Sequence, residues 1–150
     1  MRKNEEIIAE IGLLFAWLDE ILASHKAKAG DCTACGKCCD FDAFGHRLYV
    51  THAEMLYFAE KMGNKLKEMP SGKCPYMERN RCSVHKYRFL GCRIYGCQGD
   101  SDFQSQLTEK ALNRLKALCD SLDIPYKYMD LRQALNQHVK PQYPDKSLRD

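Results

Sequence analysis

A chain of 150 residues has the size of one domain and can bury a core without disulfide staples. Its 45% hydrophobic and 29% charged residues are the balance of an ordinary globular protein. A formal net charge of +3 excludes the strongly basic balance that nucleic acid or an anionic membrane surface would call for.

The first predicted element is an amphipathic helix over residues 4–25. Ile7, Ile8, Ile11, Leu14, Phe15, Leu18 and Leu22 recur in it at helical spacing. Such a stripe is expected to face the domain's own core, with contact to a protein partner or a second copy as its alternative use. Glu5, Glu6, Glu10 and Asp19 flank or interrupt the apolar stretch, and no cleavage site follows it. It is therefore read neither as an export signal nor as a membrane span. The expected compartment is the cytoplasm, where thiols stay reduced.

Residues 28–31, with Gly30, end this helix. A short strand is expected over 47–50. A second helix starts at Thr51, where Thr51-x-x-Glu54 is a capping box. Its inner face is Met55, Phe58, Ala59, Met62 and Leu66, and Pro70, Ser71 and Gly72 stop it. Residues 73–100 read as loop. A third helix runs over 102–122 on the stripe Leu107, Ala111, Leu115, Leu118 and Leu122. Pro125 breaks the chain before a fourth helix over 127–139. The fold class is mainly α, a small helical frame around an irregular, cysteine-rich metal-binding centre. One domain spans 1–140, and 141–150 is a polar, flexible tail.

Nine cysteines are the outlying feature, and all but Cys119 fall between Cys32 and Cys97. An odd number, with Cys38 and Cys39 adjacent, suits a disulfide framework badly. In a reducing compartment such density points to metal or redox chemistry. The first run is Cys32-x2-Cys35-x2-Cys38-Cys39. A C-x2-C turn brings two sulfurs together as a tetrahedral ion or one cluster face requires. A third cysteine at the same interval is the spacing of bacterial ferredoxin loops, which hold a cubane. The second run supplies Cys74, Cys82, Cys92 and Cys97. The metal ligands expected are thus Cys32, Cys35, Cys38, Cys39, Cys74, Cys82, Cys92 and Cys97, on an iron–sulfur cluster (4Fe-4S) or zinc. Net charge does not choose, because two Zn²⁺ and two cubane cores carry the same total charge. Which sulfurs share a centre stays open.

These residues, with Gly36, Pro75, His85, Arg88, Arg93 and Tyr95, resemble the CxxCxxCC family of zinc- or iron-chelating domains, of which YkgJ-like cysteine cluster proteins are typical. The resemblance covers 32–97. Two positions depart from it: family members often have proline where this chain has Phe89 and Gly96. The resemblance implies metal binding, with a role in electron transfer, metal handling or structure. Flagellin lysine N-methylases are similar in their cysteine motif, which keeps an iron–sulfur-dependent group-transfer enzyme as an alternative. A zinc-stabilised adaptor binding a partner is another.

Among the supporting residues, His85 follows Cys82 at ligand spacing. With eight cysteines present it is read as a hydrogen-bond donor to sulfur rather than a ligand. His25, His46, His52 and His138 have no such context. Gly36, Gly91 and Gly96 are expected to take positive φ beside ligands. Arg93 is the first choice to offset thiolate charge. Tyr87 and Tyr95 are expected to shield the site, and Cys119 is a buried hydrophobe.

Overall fold

Isoleucines and leucines repeating every three to four positions wind the first element into helix α1 (Arg2–Ser24) of the computed structural model. The structure describes residues 2–29, 48–78, 81–94 and 99–139. Ile7, Ile11, Leu14, Phe15 and Leu18 are all buried, so the stripe packs within the chain's own core. Each such side chain contributes about 1.5–3 kcal/mol by leaving water. The helix breaks at His25, earlier than expected, and a short helix α2 (Lys26–Ala29) follows. The Ser24 hydroxyl and the His25 ring are hydrogen-bonded to the carbonyls of Glu20 and Ile21, which turns the chain there.

Strand β1 (Tyr49–Thr51) leads directly into helix α3 (His52–Met62). The capping box forms as expected. The Glu54 N–H donates to Thr51 Oγ1 at 3.2 Å, and the Thr51 N–H donates to the Glu54 carboxylate at 3.0 Å. The helix stops before Leu66, because Gly63 takes φ 55° at its C-terminus and a 3-10 turn (Gly63–Lys65) follows.

The described residues between 73 and 100 are more ordered than a loop reading allows. They contain a hairpin of β2 (Met77–Glu78) and β3 (Arg81–Cys82), a 3-10 turn (His85–Tyr87) and helix α4 (Leu90–Ile94). Helix α5 (Ser101–Ser121) follows. The Asp100 carboxylate caps it, accepting from the Phe103 N–H at 2.8 Å. The expected fourth helix starts later than predicted. Residues Tyr128–Asp130 form β4, antiparallel to β1, and helix α6 (Leu131–Val139) begins only after it. The pairing gives the backbone groups of β1 partners from 81 residues away at Tyr49↔Asp130, in a register only 3 residues long that is not visible locally.

The described residues are mainly α, with six α-helices. Two apolar clusters hold them together. One joins α1, α5, Leu90 and Ile94 of α4, and Ala53. The other joins Met55, Phe58 and Met62 of α3 with Met69, Tyr76, Phe89 and α6. Helix α4 lies at the seam. Leu90 and Ile94, one turn apart, enter the first cluster, while Cys92 on the opposite side packs against the second.

Candidate metal centre

Three of the expected ligands, Cys74, Cys82 and Cys92, lie among the described residues, and each is partly exposed. Cys32, Cys35, Cys38, Cys39 and Cys97 lie outside them, as do Gly36, His46, Tyr95, Gly96 and the tail. Among the described residues no three His, Cys, Asp or Glu side chains are grouped as a metal ion requires.

Cys74 precedes a turn in which the Met77 N–H donates to the Cys74 carbonyl at 3.1 Å. Tyr76 anchors that turn. Its ring is 2% exposed and meets Phe58 edge-on at 5.2 Å. Its hydroxyl accepts from the Lys67 N–H at 2.7 Å, and burial pushes its pKa up. Sequence reasoning missed this anchor, although its position two residues after Cys74 was a signal for it. Tyr87 does pack against the second cluster. Cys82 stands opposite Met77 in the hairpin. The Ser83 N–H and hydroxyl both donate to the Tyr76 carbonyl and tie the hairpin's exit to its entrance.

Cys92 is held most elaborately. Glu54, 1% exposed, extends its carboxylate across from α3. One oxygen takes the Thr51 N–H and hydroxyl, and the other accepts from the Leu90 N–H at 2.7 Å. The same carboxylate thus serves the first turns of two helices. Burial raises its pKa, and the hydrogen bonds from Leu90 and Thr51 and the nearby Arg93 charge oppose that rise. Phe89 is buried with its ring 4.7 Å from that of Phe58.

Arg93 is tied into the protein by its whole guanidinium. Its guanidinium donates to the Arg88 carbonyl at 2.8 Å, the Lys86 carbonyl at 3.1 Å and the Asp19 carboxylate of α1 at 2.9 Å. It also stacks over the Phe15 ring at 4.1 Å. The Arg88 side chain donates in turn to the Cys92 carbonyl at 3.1 Å. Arg93 therefore knots the 86–93 segment onto α1. Gly91 corrects an expectation. It is helical, and the described glycine with positive φ is Gly63. A Cβ at Gly91 would stand 2.7 Å from Leu48 Cδ1, so its task is close packing. Cys119 is buried as expected, and burial raises its thiol pKa.

The described ends of the cysteine-bearing stretches meet. The Asp100 N–H, just after the second run, donates to the Lys28 carbonyl just before the first at 2.7 Å. A Cβ on Gly99 would stand 2.5 Å from the Ala29 carbonyl oxygen. Leu48, just after the first run, lies against Gly91, the neighbour of Cys92. Among the described residues no helix is long and apolar enough to cross a membrane.

A family model, CxxCxxCC, described as a "putative zinc- or iron-chelating domain", matches residues 31–121. No curated protein and no solved structure matches the chain.

Proposed function

The chain belongs to the CxxCxxCC family, and we propose that its two cysteine runs converge on a metal centre held by Cys32, Cys35, Cys38, Cys39, Cys74, Cys82, Cys92 and Cys97. One observation carries this reading. Both described flanks of the first run meet the second run or the residues just after it: Lys28 and Ala29 against Gly99 and Asp100, and Leu48 against Gly91. A first run tethered at both its described flanks can bring its sulfurs to ions shared with the second at little further entropic cost.

We favour iron–sulfur clusters over zinc. Three cysteines at C-x2-C-x2-C spacing suit one cubane, whereas zinc folds more commonly use paired cysteines. When bound, such a centre supplies electron transfer or takes part in metal handling. The chain's own contribution is to hold thiolates, in a reducing compartment such as the cytoplasm, at fixed positions around it.

The test is purification without oxygen, followed by a visible spectrum and assays for iron, acid-labile sulfide and zinc. Broad visible absorption with iron and sulfide in equal amounts is expected. A colourless protein carrying stoichiometric zinc overturns the cluster and keeps the chelating centre. A protein with neither metal, even after reconstitution with iron and sulfide or with Zn²⁺, overturns both.

A further inference from the structure

Cys92 sits on a helix of five residues, Leu90–Ile94, too short to hold its own shape in water. Something else fixes it, and the contacts name what. The Glu54 carboxylate takes the first N–H of that helix at 2.7 Å. Directly after Cys92, Arg93 gathers the carbonyls of Lys86 and Arg88 around one guanidinium and binds Asp19 of α1 at 2.9 Å. The Arg93 side chain is 5% exposed while Asp19 is 51% exposed, so the arginine is the buried member of the pair. Residues 86–91 of the 86–93 segment are the greater part of the spacer between Cys82 and Cys92. Fixing its curl fixes how one cysteine stands relative to the other.

We infer that Glu54 and Arg93 are positioning residues for Cys92, holding its sulfur in place before metal arrives and coupling the metal-binding segment to α1. The inference rests on the reading of Cys92 as a ligand. It differs from charge compensation, because the three described acceptors of Arg93 are two carbonyls and a carboxylate from the protein itself. Groups that orient a ligand without touching metal typically raise metal affinity about 10- to 100-fold.

The variants are Arg93→Lys, which keeps the charge and loses the planar fork, and Glu54→Gln. The amide of the latter offers one acceptor oxygen where the carboxylate serves two sets of donors. Asp19→Asn, at an exposed position, is the mild variant should either of these fail to fold. Two readouts are taken. In metal-free, reduced protein, the alkylation rate of Cys92 by iodoacetamide is measured by peptide mapping and expressed relative to Cys74 and Cys82. Separately, Zn²⁺ retention is measured by competition with a chromophoric chelator.

Arg93→Lys and Glu54→Gln are expected to raise the relative alkylation of Cys92 several-fold and to weaken Zn²⁺ retention about tenfold. Asp19→Asn is expected to act in the same direction by less. Leu115→Ala, in the first apolar cluster, lowers thermal stability without changing the alkylation ratio. Wild-type ratios in the folded variants, or the same shift in Leu115→Ala, overturn the inference. The ratio needs no metal. An intact ratio effect with neither Zn²⁺ nor a reconstituted iron–sulfur cluster bound by the wild type would sink the ligand reading alone, and an absent ratio effect with either metal bound would sink the positioning role alone.

Discussion

At the scale of single residues, the described titratable groups with shifted pKa values report what burial does in this fold. His52, at the start of α3, and His138, near the end of α6, face each other with ring centroids 6.5 Å apart. Burial lowers both pKa values. For His52 the His138 and Lys127 charges lower it further, while for His138 a hydrogen bond involving the Ala134 backbone opposes the fall. A histidine with a depressed folded pKa contributes stability above its unfolded value, near pH 6.5, and that stability is lost as pH falls through the folded value. These two histidines are therefore expected to take stability from the metal-free protein as pH falls below about 6.5. His138→Gln removes one of the two groups and one positive neighbour. It should flatten that loss in urea titrations and raise the His52 pKa, read from the imidazole proton shifts by NMR. An unmoved His52 titration would mean that the rings do not sense each other. Neither histidine had a local sequence context to mark it, because their proximity is made by β1–β4 pairing.

At the scale of elements, legibility followed the range of the interaction that decides each one. The stripes of α1 and α5 and the Thr51–Glu54 box were readable because their determinants lie within one or two helical turns. The α4 helix was not, since its N-terminal acceptor is Glu54, 36 residues earlier in the chain. Strand β4 was read as helix for the same reason: its partner is β1. Gly63 did carry a local stop signal, and the apolar periodicity running on to Leu66 concealed it. The capping box gives a direct test of an element. Thr51 is fully buried, and its hydroxyl both accepts from the Glu54 N–H and donates to the Glu54 carboxylate. Thr51→Ala should cost about 1–2 kcal/mol, the upper part of the range for N-caps, because the groups left behind are buried. Thr51→Ser, which keeps the hydroxyl, should recover most of that. Urea denaturation of the two variants checks it, and equal losses would assign the effect to the missing methyl group instead.

At the scale of the whole molecule, the question is how far the fold depends on its metal. A cysteine cluster in a very small domain commonly means that the apo chain is unfolded, since binding energy is then folding energy. Here the described residues bury two apolar clusters whose members come mainly from outside the cysteine-bearing stretches: Ile7, Ile11, Leu14, Leu18, Leu107, Ala111 and Leu115 in one, and Val50, Met55, Phe58, Leu131 and Leu135 in the other. Helices α1, α3, α5 and α6 pack through these side chains, and Trp17 of α1 is further covered by Arg114 of α5 at 4.2 Å. The hairpin and α4 depend on fewer apolar anchors, chiefly Tyr76, Phe89, Leu90 and Ile94. Stripping the metal with a chelator under reducing conditions should therefore leave most of the far-UV helical signal in place. Hydrogen exchange should accelerate most in residues 74–94 and least in α1 and α5, because regions with fewer buried contacts open first. A chain that loses its helical signal together with its metal would show instead that the thiolates, and not the two apolar clusters, hold the frame together.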